Sequence, residues 1–178
     1  MSPTIPALLV EYDRARAYTD SLWRDLPATE VCWRPHEQSS AIGWHLGHQA
    51  TVAHFMVRNL TAAEPSPDAD LEPLMDSATP EAVRGELPDL ARLAGFRATV
   101  AERVHARVGN IASRAVTAPA QMQLIGATLL IAVINHEYQH DQWISEVRCR
   151  DLGRALPPRP VSDALCELDG YLVVGAHA

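Results

Sequence analysis

Apolar residues in this chain recur at three-and-four spacing through one segment after another, and no run alternates apolar with polar residues between turn signals. That pattern restricts the fold to packed helices. Between Pro6 and Leu26, one helical stripe gathers Leu8, Leu9, Tyr12, Ala15, Thr19, Leu22, Trp23 and Leu26, and Pro27 ends it. A connector with Arg34, Pro35 and His36 leads to Ser39 and Ser40, either of which can cap a second helix, Ala41 to Leu60. Thr61 to Thr79 holds Pro65, Pro67, Pro73 and several acids, and reads as a long loop or lid. Thr79 and Pro80 open a third helical region to Val108, divided near Pro88 into a short and a longer piece and stopped by Gly109 and Asn110. The longest helix runs from Met122 to about Cys149. After Gly153, Pro157, Pro158 and Pro160, a last one is expected over Val161 to Val174. The expected class is all-α: an antiparallel four-helix bundle with an extra C-terminal helix and no sheet, built as a single domain over residues 1–178.

Composition removes several functions. Twenty-two acids against fifteen cations give a net charge of -7, the opposite of the clustered basic surface that nucleic acid requires. Every cation is Arg, which excludes lysine Schiff-base and lysine-nucleophile mechanisms. Met1 to Asp13 has no basic segment ahead of its apolar run, unlike a secretory signal. The most apolar stretch, Leu124 to Ile134, is shorter than the roughly 20 residues a bilayer demands. The expected setting is cytoplasmic, without membrane or nucleic-acid partners. Cys32, Cys149 and Cys166 fit neither a disulfide framework nor a C-x-x-C motif and read as reduced, mostly buried thiols.

Eight histidines are many for this length, and they are grouped. His136-Glu137-Tyr138-Gln139-His140 lies within the long fourth helix. Residues four apart point about 40° from one another, so two imidazoles there can close on one ion. Their face includes Leu129, Ala132, Val133, Trp143 and Val147, an apolar setting. Trp44-His45-Leu46-Gly47-His48 lies on the second helix, where Trp44, Val52 and Phe55 flank His48 and direct it toward the core. His45 sits at the edge of that face. Three inward neutral nitrogens form the open ligand set of catalytic sites; the plainer alternative is histidines satisfied by carbonyls and water. His36, His54, His105 and His177 read as ordinary surface or interhelical residues.

HEYQH also fits H-E-x-x-H, in which a glutamate is general base beside a protease zinc. Glu137 lies about 100° from His136, off the ligand face. No strand and no downstream H-x-x-G-x-x-H continuation accompany the motif, and Glu167 is no substitute ligand.

Ser40 to Phe55 (SAIGWHLGHQATVAHF) resembles the second helix of the DinB superfamily, and Asn135 to Val147 (NHEYQHDQWISEV) its later H-x-x-x-H helix. Trp33-Arg34-Pro35 is similar as well. The resemblance implies a four-helix bundle of DinB type with His48, His136 and His140 as a metal triad. W-H-L-G-H and N-H-E-x-x-H are most similar to the amino-terminal domain of ergothioneine sulfoxide synthases, which bind iron, but 178 residues leave no room for their second domain. In many small relatives a Gly-Gln pair follows the second histidine. Here Asp141, Gln142 and Trp143 follow, so Gln142 takes no role from the family. Other relatives are thiol-dependent transferases or isomerases. The implied activity is a metal-dependent transferase or hydrolase on a small molecule, with thiol transfer first and iron-dependent oxidation second. The implied cofactor is a divalent transition metal: Zn, Fe or Ni. A low-molecular-weight thiol is the expected co-substrate and a homodimer the expected assembly. His45, Asn135, Glu137, Gln139 and Asp141 are the neighbours placed to orient the ligands. A non-catalytic metal-binding or dimerisation module is the alternative, distinguished by a fourth protein ligand.

Overall fold

A computed structural model of the chain describes residues 3–61 and 63–175. Helix α1, Ile5–Trp23, buries Leu8, Tyr12, Ala15, Thr19, Leu22 and Trp23 of the expected stripe together with Ile5, leaves Leu9 half-buried, and ends before Leu26. Pro27 then opens a single turn, α2, Ala28–Val31. Helix α3, Ile42–Val57, is buried at thirteen of its sixteen positions, so it is the inner helix. Neither expected serine caps it. Ala41 is the N-cap residue, while the Ser39 hydroxyl turns back to the His36 carbonyl.

Helix α4, Leu90–Ala112, starts just after Pro88, with the Asp89 carboxylate accepting the Arg92 N–H. It continues through Gly109 and Asn110, where a stop was expected. Arg114, at φ 60°, takes the left-handed position beyond the helix instead. Of the short piece expected before Pro88, a 3-10 turn over Glu81–Val83 forms. Helix α5, Pro119–Glu146, passes into a π-helical turn over Val147–Asp151.

The four long helices form the bundle: α1 packs on α5, α3 on α4, and α3 also on α5. The α3–α5 crossing is antiparallel, because His45 meets His140 whereas His48 meets His136. The segment between α3 and α4 folds back over α3 as the expected lid. Its Met75 is buried against Gly47, where a Cβ would collide with the Met75 side chain.

The expected C-terminal helix is not present. Strand β1, Leu165–Leu168, pairs antiparallel with β2, Tyr171–Val174, in a two-stranded sheet. Asp169 (φ 51°) and Gly170 (φ 86°) form the two-residue turn, the left-handed pair that a tight hairpin selects. The Val174 N–H donates to Asn135 Oδ1 at 2.7 Å, fastening the hairpin to α5. The cysteines also differ from expectation. Cys149 and Cys166 are exposed and Cys32 is half-buried, since the π turn and the hairpin present their residues outward. Among the described residues, no helix is long and apolar enough to cross a membrane.

Candidate metal centre

One ring nitrogen each from His48, His136 and His140 lies within 4.8 Å of the others. Ring centroids are 4.4 Å apart for His136 and His140, 4.9 Å for His48 and His140, and 5.2 Å for His48 and His136. The i,i+4 spacing on α5 sets the first distance, and the antiparallel passage of α3 sets the other two. His48 and His140 are buried, while His136 is half-buried. Among the described residues, no fourth histidine, cysteine or carboxylate joins this group.

Neighbouring groups fix the rings. His48 Nδ1 lies 2.7 Å from the Met75 carbonyl, an acceptor only, so Nδ1 carries the proton and Nε2 is left with its lone pair. Gly47 permits the approach that places this carbonyl. Trp44 stacks on His48 at 4.7 Å with planes 9° apart, and Trp143 meets His140 edge-on at 4.7 Å. His45, expected as an orienting neighbour, has its Nδ1 2.8 Å from His140 Nδ1, so one of the two rings donates to the other.

Burial holds these imidazoles neutral. Desolvation, reinforced by the charge of His48, pushes His136 down to about 4. Desolvation, followed by His48 and the Arg84 guanidinium, pushes His45 to about 3. His140 is lowered by desolvation and then by His45, His136 and His48; His48 is lowered by desolvation against the opposing Met75 hydrogen bond. Uncharged imidazoles with one nitrogen each gathered within 4.8 Å fit a divalent metal.

The remaining expected neighbours divide. Asn135 serves the hairpin. Gln139 is exposed and lines, with His136, a cleft of about 450 Å³ under Leu168 and Tyr171. Glu137 and Asp141 face away from the rings into a buried polar cluster that sequence reading did not anticipate. There, Arg97 donates to Glu137 Oε1 at 2.8 Å and to Gln49 Oε1 at 2.9 Å, while Gln49 Nε2 donates to the Glu137 carbonyl at 3.0 Å. Burial, then the charge of Glu137, raises Asp141 well above the usual carboxylate range. With Asp141 neutral, the Thr19 hydroxyl donates to its Oδ1 at 2.8 Å and lies 3.0 Å from Glu137 Oε1. One cation then faces one anion. A sequence signal existed: Arg97 occupies the apolar stripe of Leu93, Phe96, Val100 and Val104. With Glu137 paired to Arg97, the H-E-x-x-H protease reading has no base.

The wheel around His48 requires correction on its far side. Trp44 is buried, but Val52 is half-buried and Phe55 is 64% exposed, because that part of α3 borders a cleft of about 1050 Å³ under the lid. On α5, Val133 and Val147 are buried, whereas Leu129, Ala132 and Trp143 are half-buried, so this face is partly open as well. His54 is fully buried, bridging Glu72 at 3.1 Å and Arg103 at 3.2 Å. His105 meets Asp13, His36 is exposed, and His177 lies outside the described residues.

The family model of the DinB superfamily matches residues 11–144. The chain belongs to the DinB superfamily. That span runs from α1 through most of α5 and contains all three converging histidines, in a superfamily whose members often bind metal. No curated protein matches the chain. The hairpin lies beyond the matched span and is fastened to Asn135, which lies within it.

Proposed function

We propose that this DinB protein is a metal-dependent enzyme acting on a small molecule, and that its reaction is transfer of a low-molecular-weight thiol to an electrophilic substrate. His48, His136 and His140 hold one divalent transition ion. When bound, such an ion lowers the pKa of a thiol or water at neutral pH. The chain's own residues supply the rest. Met75 and His45 orient the ligand rings, Trp44 and Trp143 exclude water from two sides, and the lid frames the cleft onto which His48 opens.

The observation that carries this reading is the three-nitrogen group, without a fourth protein ligand among the described residues, beside a cleft of about 1050 Å³. A structural zinc is closed by four protein ligands; a catalytic one keeps a position for substrate. Exposed Val10, Leu124 and Ile125 on α1 and α5 support a homodimer as the working form.

The test is thiol consumption by protein loaded in turn with Zn, Fe and Ni, in the presence of small epoxides and activated alkenes. Metal-dependent acceleration that is lost in His140→Ala is expected. One ion per chain with no acceleration, and a four-protein-ligand spectrum, would establish the structural alternative. Acceleration only with iron and oxygen would replace transfer by oxidation.

A further inference from the structure

The cleft beside His48 is floored by one stripe of α3: His48, Thr51, Val52, Phe55 and Arg58 recur at three-and-four spacing and all line it. Two polar groups on this stripe lack a protein partner among the described residues, namely Thr51 Oγ1 and Arg58 Nε, and both atoms are buried. Thr51 is only 5% exposed. Thr51 does not bond back to the carbonyl one turn earlier, as Thr128 does to Leu124 at 2.9 Å. The Arg58 guanidinium lies 4.9 Å from the centre of the Phe55 ring, which holds it over an exposed aromatic face.

Among the described residues, no carboxylate pairs with Arg58. Glu72 accepts from His54, and Asp76 Oδ1 accepts the Ala78 N–H. Other arginines nearby are matched, Arg92 with Asp68 and Arg107 with Glu64. A buried donor without an acceptor is costly unless a ligand completes it.

We propose that this stripe reads an anionic small molecule, with its carboxylate on Arg58 over Phe55, a polar mid-chain group on Thr51 and its reacting end beside His48. Phe55 is seven residues from His48, about 10 Å along the helix, which sets the separation of carboxylate and reacting atom at roughly six carbons. This inference rests on the reading of the cleft as the substrate side of the triad, and it names the substrate class.

The test uses binding by metal-free full-length protein, so it does not depend on catalysis. Calorimetric titration with hexanoate and with hexanamide is expected to show about a tenfold preference for the acid, as a charge-assisted pair gives. Arg58→Gln removes the preference, Arg58→Lys restores part of it, and Glu102→Gln, an exposed change on α4, leaves it unchanged. Thr51→Val abolishes any added affinity of 3-hydroxyhexanoate over hexanoate. Circular dichroism and thermal midpoints confirm that each variant is folded. Equal affinity for acid and amide in the wild type, or a preference that survives Arg58→Gln, overturns the inference. A preference that persists in a chain that takes up no metal leaves this site standing and removes the metal-dependent reading.

Discussion

Helix α5 carries two polar pairs at the same spacing, His136 with His140 and Glu137 with Asp141, offset by one residue and so about 100° apart. The acid pair is held within the bundle: Arg97 pairs with Glu137, and Thr19 and Gln49 reach Asp141 Oδ1, while Asp141 Oδ2 is buried with no partner among the described residues. The histidine pair is open: with His48 it gathers three ring nitrogens within 4.8 Å of one another, and no fourth ligand joins them among the described residues. Equal spacing therefore tells nothing of role. What faces the pair decides whether it holds the bundle together or waits for a ligand.

The comparison is broken most severely at Arg97. Arg97→Met leaves Glu137 charged, buried and unmatched, and should cost about 3–5 kcal/mol, read as a lower urea midpoint. His140→Ala in metal-free protein should cost far less, since it strands no charge. If the two variants are equally destabilised, the distinction between a structural and a ligand-holding face is wrong. Next comes His45→Phe, which removes the ring beside His140 without touching a ligand. Metal affinity should fall about 10–100-fold while Arg97-dependent stability is kept. Asn135→Ala releases the hairpin from α5 and should cost about 1 kcal/mol, with metal stoichiometry unchanged.

The two faces also oppose each other in pH dependence. His136 titrates near 4 when folded and near 6.5 when unfolded, so the unfolded chain binds more protons between those values, and its contribution to stability is lost as pH falls from 6.5 toward 4. Asp141 is raised, so the folded chain holds its proton more tightly. Its contribution is full below the ordinary carboxylate range and is lost as pH rises above it. Urea midpoints of metal-free protein from pH 4 to pH 8 should therefore rise more steeply with pH in Asp141→Asn than in the wild type. An unchanged slope would mean that Asp141 is ionised in the fold.

The helices and the triad were legible in the sequence because both rest on short-range periodicity. The α1 stripe, the break near Pro88 and the i,i+4 pair of α5 are each local. The parts that escaped depend on segments that meet only in the fold. Nothing within the lid indicates that the Met75 carbonyl reaches His48, and nothing near Arg97 names Glu137 as its partner. The hairpin is a different case: Asp169-Gly170 is a strong short signal for a tight hairpin, but it lies inside the segment 161–174 read as a helix. On α3 the wheel identified the inward edge at Trp44 and His48 but assigned Phe55 to the core, because periodicity does not distinguish a packed face from the floor of a cleft.

The central claim is that three imidazoles, and no other protein group, hold one ion. X-ray absorption on cobalt- or zinc-loaded protein, paired with metal stoichiometry, tests it directly. The account predicts one ion per chain, three imidazole nitrogens at about 2.0–2.1 Å, and the rest of the shell filled from solvent or added thiol. The signal should vanish in each of His48→Ala, His136→Ala and His140→Ala. A fourth imidazole, a cysteine sulfur or a protein carboxylate in the shell, or uptake that survives those substitutions, would contradict it.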